Sequence, residues 1–85
     1  MEIVFTSDAI EHLQYWKKSG NKKALEKITI LLKEIKATPF EGTGKPEALK
    51  YKWNGYWSRR ITGEHRLVYK VDDDKITVVQ LKYHY

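Results

Sequence analysis

Asn54-Gly55-Tyr56-Trp57-Ser58-Arg59-Arg60-Ile61-Thr62-Gly63-Glu64-His65-Arg66-Leu67-Val68-Tyr69-Lys70-Val71 is the stretch that decides the fold. Asn-Gly at its head is a strong hairpin signal, because both residues tolerate the positive φ of a tight turn. From Leu49 onward apolar residues recur with a period of two, the spacing of a strand with one face buried. Tyr56 to Ile61 reads as a strand, Thr62-Gly63-Glu64 as a turn and His65 to Val71 as the next strand. Asp72-Asp73-Asp74 is a further turn, and Lys75 to Tyr83 the last strand. The result is an antiparallel meander.

Working back towards the start, the spacing changes to that of helices. Pro39 to Pro46 carries two glycines and two prolines and reads as a loop without the spacing of a phosphate-binding P-loop. Leu25, Ile28, Leu32 and Ile35, widened by Leu31, form the apolar stripe of a helix that Asn21 can cap. Thr38 before Pro39 marks its end. Ala9, Ile10, Leu13 and Trp16 form a second stripe. Ser7 or Asp8 serves as its cap and Gly20 as its stop. The short link at Gly20-Asn21 predicts an antiparallel helical hairpin, and Glu2 to Phe5 a short leading strand. The expected fold is α+β: a single small domain over residues 1–85, with an N-terminal strand and a helical hairpin on one face of a twisted antiparallel sheet.

Composition narrows the function classes. Eighty-five residues carry 16 Lys+Arg against 11 Asp+Glu, a formal charge of +5. A basic balance in a small domain favours polyanionic partners such as nucleic acid. No cysteine is present. That excludes disulfides and thiolate metal sites and fits a reducing cytoplasm. No segment has the character of a signal peptide or the ~18 apolar residues of a membrane span. His12, His65 and His84 lack metal-ligand spacing, and the three aspartates read as a turn.

Strand parity sorts the side chains. If each turn holds three residues, Trp57, Ile61, Leu67, Tyr69, Val71, Val79, Leu81 and Tyr83 share the face that receives the helices, with Arg59 as a misfit among them. Ser58, Arg60, Arg66, Lys70, Gln80, Lys82 and His84 share the other. That face is basic, and the register sets Arg60 opposite Arg66. Like charges opposite each other are destabilising, so such a pair suits an anion between them. Arg is fitted to phosphate because its planar fork binds two oxygens at once. His84 adds a group that exchanges protons near neutrality. RNA cleavage through the 2′-hydroxyl needs a base, a cation for the charged phosphorane and an acid for the leaving 5′ oxygen. Glu47 in Lys45-Pro46-Glu47 is the carboxylate best placed by sequence to stand near the sheet's entrance, although spacing alone favours an ordinary surface glutamate in a loop. With a three-residue turn, however, Arg66 would stand roughly 13 Å along the strand from His84.

Three ordered segments carry a resemblance. Thr38-Pro39-Phe40-Glu41-Gly42-Thr43-Gly44-Lys45-Pro46-Glu47, Gly55 to Ile61 followed by Glu64 to Tyr69, and Tyr83-His84-Tyr85 together resemble the Txe/YoeB branch of the RelE superfamily. The likeness covers the whole chain. It implies a RelE-like, microbial-RNase-like fold and a type II toxin–antitoxin toxin that cuts mRNA in the ribosomal A site and so inhibits translation. It implies Glu47 as general base, Arg66 as the phosphate-stabilising cation, His84 as general acid and Tyr85 as a positioning group. Lys50 and Arg60 would hold phosphates, with Arg59 and Lys82 as further candidate contacts. The family needs no metal or other cofactor. It pairs with a YefM/Phd-like antitoxin, through which alone it reaches operator DNA, and often forms homodimers in the cytoplasm. The alternatives are a non-catalytic RNA- or ribosome-binding module, or a co-repressor acting through the antitoxin. Ala48 follows Glu47 where a second proline is common, and Lys82 stands where arginine is frequent.

Overall fold

The structure is a computed structural model and describes residues 1–83. Strand β1 (Glu2–Phe5) leads into helices α1 (Ser7–Ser19) and α2 (Lys22–Ala37). Then come β2 (Glu47–Ala48), a single 3₁₀ turn at Tyr51–Trp53, β3 (Tyr56–Arg60), β4 (Arg66–Asp72) and β5 (Lys75–Gln80). The five strands form one sheet in the order β1-β5-β4-β3-β2. The meander from β2 to β5 is antiparallel, but Asn54-Gly55 does not close a tight hairpin: Asn54 has φ −56°, and the chain between Ala48 and Trp57 runs through the 3₁₀ turn instead of the strand expected from Leu49 onward. β1 joins the β5 edge in parallel, so the sheet is mixed. That pairing follows from the helical hairpin: two antiparallel helices bring the chain back across one face before the meander begins.

Helix α1 starts one residue earlier than the Ser7 or Asp8 caps predict. Thr6 is the cap, its hydroxyl accepting from the Ala9 N–H at 3.2 Å. Asp8 then lies in the first turn, where a negative charge favours the helix dipole. Gly20 ends α1 at φ 76°, a left-handed conformation that glycine adopts without a Cβ penalty. Asn21 caps α2 by accepting from the Ala24 N–H, and Thr38 ends it. The deepest stripe of α2 is Ala24, Ile28, Leu31 and Ile35, with Leu25 and Leu32 packed on its flanks. These residues meet Ile61, Leu67, Tyr69, Ile76, Val78 and Leu81 from the sheet, and Ala9 and Trp16 from α1, in one core.

The last strand departs from the parity reading in two places. Asp72 pairs with Lys75, so the turn holds two residues rather than three, and Ile76 and Val78 take the helix-facing positions opposite Val71 and Tyr69. A bulge follows. Tyr69 faces Val78 but Val68 faces Gln80, leaving Val79 as the extra residue. The bulge reverses the parity again, which returns Leu81 to the core while Val79 is only half-buried. Among the described residues no helix is long and apolar enough to cross a membrane.

Candidate active site

Glu47 enters the sheet from a loop that Arg59 holds shut. The Arg59 side chain has no exposed surface. Its Nη2 donates to the carbonyl oxygens of Thr38 and Glu41, both at 2.8 Å. Its Nη1 donates to the Thr43 carbonyl at 3.2 Å and lies 3.4 Å from the Glu34 carboxylate. Its Nε donates to the Tyr69 hydroxyl, which in turn donates to the Pro39 carbonyl. Arg59 is therefore a correction to the predicted phosphate-binding set: it is enclosed, and its donors are committed to the loop. Hydrogen bonds from Thr43, backbone and side chain, hold the Glu34 carboxyl below its usual pKa, with Arg59 and Lys27 adding to the effect. After this loop the Arg60 N–H donates to the Gly44 carbonyl at 2.7 Å. The chain then pairs as β2, Glu47 opposite Ser58 and Ala48 opposite Trp57.

The register assembles a row across the face of the sheet turned away from the helices: Glu47, Ser58, Val68 and Gln80, of which Ser58 and Val68 are buried. Arg60 and Arg66 pair directly in the next row on the same face, as parity predicts. Glu47 and Arg66 are thus two strands and two residues apart, roughly 12 Å between Cα atoms. Arg60 is exposed and Arg66 half-buried. Arg66 Nη1 is steadied by the carbonyls of Thr62, Gly63 and His65, each at 3.2 Å. Lys50 lines a cleft of about 620 Å³ formed by residues 47–53. Lys82 packs on aromatic rings. Its ammonium lies 3.7 Å from the centre of the Tyr15 ring on α1 and 4.6 Å from that of Tyr83. The last strand stops at Gln80, two residues before Lys82.

His84 and Tyr85 lie outside the described residues. The register does answer the distance difficulty for their neighbour: the Arg66 N–H donates to the Tyr83 carbonyl at 3.1 Å. The shorter turn and the bulge carry the chain to the level of Arg66 at Tyr83, where a three-residue turn would have left Gln80. Among the described residues three non-glycines have left-handed backbones: Lys45 (φ 52°), Tyr51 (φ 58°) and Tyr83 (φ 69°). All three flank candidate site residues, and such strain concentrates at functional sites.

Sequence spacing missed four side chains here. Tyr51 and Trp53 line the cleft beside Lys50, and Tyr51 is 91% exposed. His12 and His65 hold the segment 81–83. The Leu81 N–H donates to His12 Nδ1 at 3.1 Å, and the Tyr83 N–H to His65 Nδ1 at 2.8 Å. The Lys50-Tyr51-Lys52-Trp53 alternation of cations and aromatics was a visible signal for the cleft. No local signal marks the histidines, because their partners are 69 and 18 residues away. Among the described residues no three His, Cys, Asp or Glu side chains gather as a metal site.

Comparison with known proteins gives this geometry a family. Residues 5–85 match the family described as YoeB-like toxin of bacterial type II toxin-antitoxin system. The chain belongs to that family. It is 45% identical to toxin YoeB of Escherichia coli strain K12 over 85 residues, the full length of both. It superposes on the YoeB dimer of Staphylococcus aureus with a TM-score of 0.90 and 48% identity, covering 100% of this chain and 98% of the other. It superposes equally completely on the toxin in a heterotetrameric YoeB–YefM complex from the same organism, with a TM-score of 0.88 and 48% identity. Among YoeB-like toxins the loop from Thr38 to Glu47 and the strands from Gly55 to Tyr69 now have a structural meaning: the first carries a carboxylate to the open face, and the second supply the arginine pair.

Proposed function

We propose that this protein is an endoribonuclease toxin that cuts mRNA in the ribosomal A site. The observation that carries the reading is the Arg60–Arg66 pair on the open face, sharing that face with Glu47, with the Tyr83 carbonyl bonded to the Arg66 N–H. Two guanidinium groups set opposite each other repel unless an anion lies between them, and a phosphodiester is such an anion. Family membership supports the same reading.

In the proposed reaction Glu47 removes the 2′-hydroxyl proton, and the 2′ oxygen attacks the adjacent phosphorus. Arg66 stabilises the charge on the equatorial oxygens, where fixed donors are worth most. Arg60 and Lys50 hold the phosphates on either side. His84 gives its proton to the 5′ oxygen as the P–O5′ bond breaks, leaving a 2′,3′-cyclic phosphate and a 5′-hydroxyl. Tyr85 positions the substrate or the histidine. Tyr51, with its ring open to solvent, offers a stacking surface for a base at the cleft. All the proton transfers are supplied by the chain's own groups.

The partners follow from the relatives. A YefM-like antitoxin would bind the toxin, cover its open face and alone bring it to operator DNA, and a second copy of the toxin would form a homodimer. Translating ribosomes place the activity in the cytoplasm.

Glu47→Ala and His84→Gln are each expected to restore growth when the toxin is expressed without an antitoxin. Each should slow cutting by about 10² to 10⁴-fold, the usual contribution of one general acid or base. Primer extension on a translated message reads the new ends. Inhibited translation without new ends would leave only a binding module, and two fully toxic variants would remove Glu47 and His84 from the chemistry.

A further inference from the structure

Beyond Gln80 the chain leaves the β-ladder, yet each backbone polar group at Leu81 and Tyr83 has a partner. Trp16 Nε1 donates to the Leu81 carbonyl at 2.7 Å, and Arg66 N–H and Gln80 Nε2 donate to the Tyr83 carbonyl, both at 3.1 Å. The two N–H groups donate to imidazoles, Leu81 to His12 Nδ1 and Tyr83 to His65 Nδ1. Side chains from α1 and from the β3–β4 turn thus supplement the one backbone bond that Arg66 of β4 supplies. The rings are packed edge to face against one another and against Tyr83: Trp16 on His65 at 5.0 Å and His12 on Tyr83 at 5.9 Å.

We propose that His12 and His65 are positioning residues, whose unprotonated Nδ1 atoms hold the segment leading into His84 in the place the cutting reaction requires. The catalytic consequence rests on the nuclease reading above; the clamp itself does not. An Nδ1 that accepts a backbone N–H cannot carry a proton, so each imidazole keeps its proton on Nε2. For His65 the Glu64 carboxylate, 3.8 Å from Nε2, favours that tautomer. Arg66 is its charged neighbour in sequence, and the Trp16 and Tyr83 rings pack on it. Around His12 stand Asp8 and Glu11 on its own helix and Lys82 from the clamped segment. Burial outweighs the two carboxylates and, with Lys82, keeps the imidazole neutral to lower pH than usual. Protonation of His12 would turn its Nδ1 into a donor facing a donor, and Leu81 would be released. The clamp thereby adds an acid limit to a reaction whose general acid is itself a histidine.

The test compares the wild-type full chain with His12→Leu, His65→Leu, His12→Asn and His65→Asn. An asparagine oxygen can take the place of Nδ1 but does not titrate. Amide hydrogen exchange by NMR should show Leu81 losing about fivefold protection in His12→Leu and Tyr83 as much in His65→Leu, the worth of one hydrogen bond. The Asn variants should keep that protection. In the wild type, corrected protection of Leu81 should fall as the pH drops below about 6.5, while in His12→Asn that amide should stay flat. Cutting by the Leu variants should drop about 10²-fold in kcat with KM little changed, as expected for a misplaced reacting group, and the Asn variants should recover most of it. Leu variants that keep both protected amides, or that cut at the wild-type rate, overturn the proposal. So do Asn variants that lose protection as fully as the Leu variants. Protected amides in a wild-type protein that cuts no RNA support the clamp and sink the nuclease reading instead.

Discussion

Arg59 shows how far one residue's meaning depends on what surrounds it. Its place in the helix-facing row was legible from parity, because Trp57, Arg59 and Ile61 alternate. Its task was not, because the acceptors come from Thr38, Glu41, Thr43, Glu34 and Tyr69, up to 25 residues away. Enclosed among carbonyls, the guanidinium fastens the loop that delivers Glu47 to the sheet. Arg59→Met should therefore lower stability by about 3 kcal/mol, since several carbonyls lose a charged donor and remain partly shielded from water. Urea denaturation measures this. Arg59→Lys should recover only a fraction, because one ammonium cannot satisfy acceptors spread around a planar fork. An Arg59→Met protein as stable as wild type would show that water fills the role equally well.

At the scale of elements, helix stripes, the Gly20 stop, the Asn21 cap and the meander were readable because each rests on contacts within a few residues. The turn length and the bulge were not. A two-residue turn at Asp73-Asp74 and one extra residue at Val79 each reverse parity, so together they leave Leu81 where a simpler reading had put it while the residues between change face, and Tyr83, expected on the helix side, is exposed. The loop from Thr38 to Pro46 is the element on which Glu47 depends most. Gly44 there has φ 87°, and an added Cβ would lie 3.0 Å from Leu31 Cδ2 and 3.2 Å from both Arg59 Cβ and the Arg60 carbonyl. Gly44→Ala should cost about 2 kcal/mol through left-handed strain and crowding, and should shift β2 off its pairing with β3. Thermal unfolding together with the amide shifts of Glu47 and Ala48 reads both effects. An unchanged melting temperature would mean the loop yields without cost.

The molecule as a whole should be stable over a bounded pH range. Burial lowers the His12 pKa from its ordinary value of 6.5, so its contribution is complete above that value and is lost as pH falls through the lower folded value. Glu34, lowered from 4.5 by its hydrogen bonds to Thr43, behaves the same way at more acid pH. Tyr69 is raised from 10.0 by burial, so the unfolded chain gives up that proton first and stability falls as pH climbs past 10.0. Urea midpoints measured from about pH 4 to about pH 11 should trace a plateau with an early acid shoulder below about 6.5. His12→Asn should remove that shoulder and Tyr69→Phe should flatten the alkaline limb. A shoulder that survives in His12→Asn would place the titrating group elsewhere.

The sequence by itself determined the two helices, the leading strand, the three strands from Tyr56 on, the α+β class, the basic face and the family segments, because periodicity, caps and turns are local properties of a chain; the short strand at Glu47–Ala48 and the 3₁₀ turn at Tyr51–Trp53 it did not show. It also brought Arg60 opposite Arg66, since the intervening turn was short enough to fix their pairing. Only the tertiary structure decided which cations remain on that face. It buried Arg59 within the loop, drew Lys82 to Tyr15, and set Tyr83 beside Arg66 through a bulge. It also turned His12 and His65 into acceptors for backbone groups far away in the chain. The physical reason is common to all of these. A backbone donor or acceptor cut off from water must find a partner in space, and sequence distance places no limit on where that partner comes from.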